Sequence, residues 1–155
     1  INIDNDQYKG LTGVTEKDKQ AGLMLVEKYS GKYVTPNLAG VRVTTEDGKV
    51  QSGFTTKIYK SLAEAPQKVQ DYIKAKGLQI DGEFAVTTSD DPVAYTNNYV
   101  LKGINLKLIF PTTVKKDIKD ASKYDNKAYQ IDFTGIHDTN LVPTTFRRSN
   151  RRKML

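Results

Sequence analysis

Few residues of this chain could act as a nucleophile, a base or a metal ligand. The 155 residues include no cysteine and one histidine, His137, so thiol nucleophiles, thiolate metal sites and disulfides are excluded. His137 is followed by Asp138, and such a pair can supply a base and the carboxylate that orients it. Because neighbouring residues of an extended segment point to opposite sides, we expect His137 to be a turn residue rather than a catalytic or metal-binding one.

A second pattern with possible chemistry is the alternation of Asn2, Asp4 and Asp6, which matches the opening of a calcium-binding loop. Such a loop needs a glycine at its sixth position and a glutamate at its twelfth, and this chain has Gln7 and Gly13 there. The common phosphate-loop, serine-elbow and zinc-histidine motifs are also missing from the sequence. We therefore predict no cofactor and no metal, and a function carried by a surface.

Positive charge is the feature that most restricts the choice of partner. The formal net charge is +6, from 24 lysines and arginines against 18 acids. Two basic stretches are predicted to contact the partner: Arg147, Arg148, Arg151, Arg152 and Lys153 in one, and Lys115, Lys116 and Lys119 in the other. Guanidinium groups bind carboxylate and phosphate through paired N–H donors, so the expected partner is an acidic protein or a nucleic acid. Asp117 and Asp120 interrupt the lysines. Such alternation of charge is more typical of a solvated surface than of one that binds the phosphates of a nucleic acid.

The size and composition of the chain indicate one folded unit. Hydrophobic residues make up 37% and charged residues 27%, values typical of a globular domain. Apolar runs such as residues 23–26 and 106–110 are far shorter than a membrane span. We expect a single domain over residues 1–155, without membrane insertion, that is one module of a longer protein.

Helical and strand periodicities alternate along the chain. Helical spacing predicts helices near residues 16–29, 66–77 and 114–124. Val41 and Val43 alternate with polar residues before the turn at 46–49, whose Asp-Gly pair predicts a β-hairpin. Further strands are predicted at residues 84–88, 95–101, 105–110 and 128–133. The predicted fold class is α+β, a single compact domain in which two or three helices pack on a largely antiparallel sheet.

Three segments resemble modules of Gram-positive, particularly streptococcal, wall-anchored surface proteins: residues 10–15 (GLTGVT), 33–40 (YVTPNLAG) and 65–73 (APQKVQDYI). The family that they resemble is the streptococcal surface repeat, whose tandem units are about this size. The resemblance implies an extracellular, cell-wall-attached adhesion module without enzymatic activity. Its partner would be a host matrix or plasma protein such as fibronectin or plasminogen.

Two alternatives remain open. The arginine-rich end departs from the streptococcal surface repeat and is compatible with a nucleic-acid-binding domain that uses the basic C-terminal segment. An enzyme would require His137 to lie in a cleft where acidic groups converge on it.

Overall fold

Most of the regular structure of this chain is β-strand. A computed structural model describes residues 1–20 and 24–148, and this part of the chain contains twelve strands. They are β1 (Asn2–Ile3), β2 (Met24–Tyr29), β3 (Val34–Pro36), β4 (Arg42–Thr45), β5 (Val50–Gln51), β6 (Phe54–Tyr59), β7 (Phe84–Ser89), β8 (Leu106–Ile109), β9 (Thr112–Val114), β10 (Lys123–Asp132), β11 (Gly135–Asp138) and β12 (Val142–Thr145). Every pairing between these twelve strands is antiparallel.

The helices of the described residues are short. They are α1 (Glu16–Gln20), α2 (Gln67–Ala75) and α3 (Pro92–Tyr95), with a π-helical turn at Thr96–Val100 and 3-10 turns at Asp6–Tyr8, Leu38–Gly40 and Leu62–Glu64. The Asp91 side chain caps α3 by accepting a hydrogen bond from the Ala94 N–H at 3.1 Å. None of these helices is long and apolar enough to cross a membrane.

The strands form three sheets. The largest has the order β11-β10-β2-β7-β6, and β12 pairs with the first half of β10. A second sheet has the order β1-β8-β4-β5, and β3 and β9 form a two-stranded sheet. The ten-residue strand β10 therefore pairs with β2 on one side, and with β11 and β12 on the other.

The two larger sheets pack face to face around an apolar core. Ile3, Val43, Leu106 and Leu108 of the four-stranded sheet cluster with Ala128 of β10 and with Tyr95 of α3. On the other face of the large sheet, the fully buried Ile73 of α2 packs against side chains of β7 and β10. A third cluster joins Tyr29 and Ala85 of the large sheet to Val34 and Phe110. The architecture is a β-sandwich with one helix on its outer face.

The predicted α+β class is wrong, because three of the proposed elements have another conformation. Within the segment 16–29, only Glu16–Gln20 is helical and Met24–Tyr29 forms β2, while residues 21–23 lie outside the described part. An apolar run as short as residues 23–26 does not distinguish a helix from a strand. The predicted helix at 114–124 is instead the end of β9, a loop at residues 115–122 and the start of β10. Within the loop, Asp117 and Ala121 have positive φ values of 65° and 64° that a helix does not tolerate. Residues 95–101, predicted as a strand, are mainly helical.

Other local predictions are confirmed. β4 and β5 form the expected hairpin across the turn at 46–49, where Gly48 has a φ of +87°. Helix α2 lies within the predicted 66–77 segment, and β7, β8 and β10 contain most of three predicted strands. The hairpin and α2 are the elements whose ends are marked by glycine, at Gly48 and Gly77, each with a positive φ.

Candidate partner-binding surface

The two basic stretches of the sequence meet at one end of the domain. The loop between β9 and β10 lies beside the residues that follow β12, because β12 pairs with the start of β10. The Ala121 N–H donates to the Phe146 carbonyl at 2.8 Å, and the Phe146 N–H donates to the Ser122 carbonyl at 2.7 Å. We call residues 115–122 together with residues 146–148 the basic end.

Arg148 fixes this contact further. Its backbone N–H donates to Asp120 Oδ1 at 2.6 Å, and its guanidinium group donates to the Ile118 carbonyl. The guanidinium carbon also lies 5.7 Å from the centre of the Phe146 ring, the distance of a cation–π contact. The charge of Arg148 is therefore held against the 115–122 loop.

The predicted contact residues within the described part are all exposed at the basic end. They are Lys115, Lys116, Lys119, Arg147 and Arg148. The Lys115 ammonium donates to the Gly31 carbonyl at 2.5 Å, and the exposed Asp117 and Asp120 lie among these cations. Arg151, Arg152 and Lys153 lie outside the described residues. The structure thus brings together two stretches that are about 30 residues apart in sequence and forms a surface of mixed charge with an excess of cations.

The sole imidazole lies in a small hydrogen-bonded cluster rather than in a deep hollow. His137 Nε2 is 2.5 Å from the Tyr8 hydroxyl, 2.5 Å from the Thr134 hydroxyl and 3.4 Å from Asp132 Oδ1. The Asp132 side chain is buried, whereas 30% of the His137 side chain remains exposed. In a catalytic triad the acid and the nucleophile bind opposite nitrogens of the ring. Here the acid and both hydroxyls converge on one nitrogen, which is an arrangement that fixes the ring.

Asp138 does not contact the imidazole, as the alternation along β11 predicts. Instead, Asp138 Oδ2 forms an ion pair with Lys127 Nζ of β10 at 2.8 Å. Near the N-terminus, Asp4 Oδ1 accepts from the Asp6 N–H at 2.9 Å, and Asp6 Oδ1 accepts from the Asn105 amide at 3.2 Å. Within residues 1–20 and 24–148, acidic groups and the imidazole do not assemble in a set of three that could hold a metal ion.

A buried polar network lies behind the imidazole and was not predicted from the sequence. Gln130 accepts from the Tyr95 hydroxyl at 2.8 Å and donates to Asn5 Oδ1 at 3.0 Å and to Asp132 Oδ2 at 3.2 Å. Gln130 and Asn5 are almost fully buried. The network ties the N-terminal segment to β10. Its sequence signal is the pair of polar residues, Gln130 and Asp132, within a predicted strand whose other residues are apolar or aromatic.

Glu27 is a second buried polar residue that sequence analysis missed. Its side chain is completely buried on β2, between Ala85 of β7 and Ala128 of β10. Neither carboxylate oxygen accepts a hydrogen bond from the described residues. Burial raises the pKa of Glu27 to about 9, because the charged carboxylate would lose its hydration there. Glu27 is therefore uncharged at neutral pH.

The fold and the exposed cations of the basic end define the class of this protein, an immunoglobulin-like β-sandwich module. The chain belongs to the family of the cell surface antigen I/II C2 terminal domain, whose model matches residues 1–146. The resemblance to a streptococcal surface-protein module is thus confirmed, and membership of this family places the domain on the cell surface.

Solved structures of similar domains support the same assignment. The C-terminal domain of the Streptococcus pyogenes antigen I/II-family protein AspA is 25% identical with a TM-score of 0.80, and the match covers 96% of this chain and 44% of that one. A chain described as BspA_C_mut is also 25% identical, with a TM-score of 0.79 and coverage of 94% and 43%. The Streptococcus agalactiae antigen I/II polypeptide BspA C-terminal domain shares the fold at 21% identity, with a TM-score of 0.66 and coverage of 94% and 40%. This chain spans less than half the length of these structures.

Proposed function

We propose that this domain is a non-catalytic adhesion module that binds an acidic surface of a host extracellular-matrix or plasma protein, of the fibronectin or plasminogen type. The observation that carries the proposal is the contact between residues 118–122 and 146–148, which gathers Lys116, Lys119 and Arg147 at one exposed end. Cations held on a rigid sandwich steer an acidic protein partner and fix its orientation.

A protein partner is favoured over a nucleic acid by the acids at the basic end. Asp117 and Asp120 stand among the lysines, and Asp120 already engages Arg148. A phosphate backbone would be repelled by these carboxylates, whereas a protein surface can offer cations to them as well as acids to the lysines. A nucleic acid bound at the same cations is the second candidate function, because it too requires the two basic stretches to lie together.

A catalytic role for His137 is not part of this proposal. Its Nε2 atom is already surrounded by the oxygens of Tyr8, Thr134 and Asp132. A substrate proton would have to displace one of these partners. We further propose that the domain is one module of a longer surface protein that is attached to the cell wall.

The proposal is tested by measuring binding of the domain to immobilised fibronectin, plasminogen and duplex DNA while the salt concentration is raised. The test variant is Lys116→Glu combined with Lys119→Glu at the basic end. Its matched control is Lys68→Glu combined with Lys74→Glu on α2, which changes the net charge equally at two exposed lysines. Both variants should keep the unfolding midpoint of the parent domain.

We expect one of the host proteins to be retained at physiological salt, roughly 0.15 M. The basic-end variant should bind roughly tenfold more weakly, and the α2 variant should bind like the parent domain. Retention of DNA alone, with affinity that falls steeply with salt, would replace this proposal by the nucleic-acid function. Equal losses in the two variants would show that net charge, and not the basic end, determines binding.

A further inference from the structure

The outer edge of β6 is open, because β6 is the last strand of the large sheet and, within the described residues, pairs only with β7. The Asp90 N–H donates to the Gly53 carbonyl at 2.8 Å just before β6, which sets the residues that hydrogen-bond to β7. Since bonded and outward-facing residues alternate, the backbone groups of Phe54, Thr56 and Ile58 face away from β7. These groups have no hydrogen-bond partner in the part of the chain that the structure describes. Such an edge is a template for one more strand, and β6 contains neither proline nor glycine to prevent it.

Two lysines beside this edge lack an acidic partner. Lys57 lies within β6, Lys60 follows directly after the strand, and both are exposed. Neither forms an ion pair with any other described residue. The carboxylate that contacts β6 is that of Asp90, which accepts from the Thr55 hydroxyl at 3.0 Å near the start of the strand. A strand added at this edge should therefore carry carboxylates beside Lys57 and Lys60.

The inner face of β6 is apolar and only partly covered. Phe54 and Ile58 pack against two core clusters between the sheets and remain partly buried. Lys57 points to the opposite face, because side chains alternate along a strand. An added antiparallel strand would form a non-hydrogen-bonded pair at Lys57, the type of pair in which side chains lie closest. Its next residues would extend the apolar inner face. The edge therefore suits a segment in which acidic and apolar residues alternate.

We propose that the β6 edge binds an extended acidic segment of a partner protein, which adds to the large sheet as an antiparallel strand of alternating acidic and apolar residues. Backbone hydrogen bonds to Phe54, Thr56 and Ile58 supply affinity, and the two lysines select the sequence. The inference goes beyond the proposed function, because β2 and β7 separate β6 from β10, where the basic end lies.

The test is a titration of the isotopically labelled domain with synthetic peptides, followed through its backbone amide NMR signals. The main probe has eight residues that alternate valine and glutamate. In the proposed complex its valine N–H groups face β6 and its glutamate N–H groups face away. Two further probes therefore carry methyl groups either on the valine nitrogens or on the glutamate nitrogens. A fourth probe alternates valine and lysine.

The charge variant of the domain combines Lys57→Gln with Lys60→Gln. Its matched control combines Lys116→Gln with Lys119→Gln, which removes two exposed lysines from the basic end. Both changes lower the net charge equally, so a difference between them reports on the β6 edge alone.

A second variant, Thr56→Pro, removes one outward N–H at a position where an edge strand tolerates proline. Thr56→Ala is its control, because both substitutions remove the hydrogen bond of 2.7 Å between the Thr56 and Thr87 hydroxyls. Only the proline variant loses the backbone donor.

We expect saturable shifts along β6 with the valine–glutamate peptide and a dissociation constant below about 1 mM. Amide exchange at Phe54, Thr56 and Ile58 should slow in the complex, because these N–H groups gain acceptors. The charge variant should bind roughly fivefold more weakly, and its control should bind like the parent domain. Thr56→Pro should bind roughly tenfold more weakly than Thr56→Ala. Methyl groups on the valine nitrogens should abolish binding, whereas those on the glutamate nitrogens should be tolerated.

Four results would overturn the inference: no saturable binding up to about 5 mM, binding of the valine–lysine peptide at least as tightly, equal binding of the two methylated peptides, or equal losses in the two lysine variants. Shifts along β6 that depend on the concentration of the domain alone would also overturn it, since they would assign the edge to a second copy. These outcomes are independent of the adhesion test, which depends on Lys116 and Lys119.

Discussion

The substitution Glu27→Gln should remove a large part of the pH dependence of this domain's stability. Burial raises the pKa of Glu27 to about 9 in the folded domain, from an ordinary value of 4.5. Between these two pH values the folded state holds a proton that the unfolded chain releases. The stability linked to this group is therefore fully present below about pH 4.5 and is lost as the pH rises towards 9.

The size of the effect follows from the linkage between protonation and folding. Each pH unit in that window shifts the folding equilibrium of the parent domain by up to a factor of ten. Glutamine has nearly the same shape as the protonated acid and does not titrate. From about pH 5.5 to about pH 7.5, the free energy of unfolding of the parent domain should fall by about 3 kcal/mol relative to that of the variant.

The measurement is urea unfolding at several pH values, followed by far-ultraviolet circular dichroism, since the chain contains no tryptophan. Glu16→Gln is the matched control, because the Glu16 side chain is 72% exposed. The difference in free energy of unfolding between the Glu16→Gln variant and the parent domain should stay constant with pH. A constant difference for Glu27→Gln over the same range would refute the conclusion that the buried carboxyl is protonated at neutral pH.

Two further predictions concern local structure. Gly48→Ala should lower the free energy of unfolding in urea by about 1 kcal/mol. Gly48 has a positive φ and open space around it, so the substitution is penalised only through the backbone conformation. An unchanged urea midpoint would contradict this. His137→Ala should cost about 1 kcal/mol, because the Tyr8 and Thr134 hydroxyls lose a shared partner. The same variant should speed amide exchange at Tyr8, and exchange that is unchanged there would show that the imidazole does not hold the N-terminal segment.

The elements that sequence analysis predicted correctly carry their own local signals. The β4–β5 hairpin depends on Asp-Gly at its turn, and α2 depends on an apolar stripe followed by Gly77. β2 was misassigned because methionine, leucine, glutamate and lysine favour a helix in isolation, whereas pairing with β7 and β10 imposes a strand. Tyr95 and Tyr99 share a face in a helix as well as in a strand, so their spacing could not decide between the two.

The candidate surface was predictable in composition but not in geometry. The excess of lysine and arginine in two stretches could be read directly, as could the weak case for catalysis at His137. The contact between Phe146 and Ser122 could not be predicted from the sequence, because it depends on the pairing of β12 with the start of β10. The open edge of β6 likewise depends on the strand order of the large sheet, which has no signal in that segment alone.

The way β10 is flanked has a consequence for crowding on a cell surface. β11 and β12 together cover its outer side, and between them the Thr139 hydroxyl and the Ala128 backbone exchange hydrogen bonds at 2.9 Å. The four-stranded sheet ends in the two-residue strands β1 and β5, which are too short to template another chain. The outer strands of the large sheet are longer, with four residues each in β11 and β12 and six in β6. At the β6 edge, the exposed Lys57 and Lys60 would repel their counterparts on a neighbouring copy. Densely displayed copies of the domain should accordingly remain separate instead of joining into fibres.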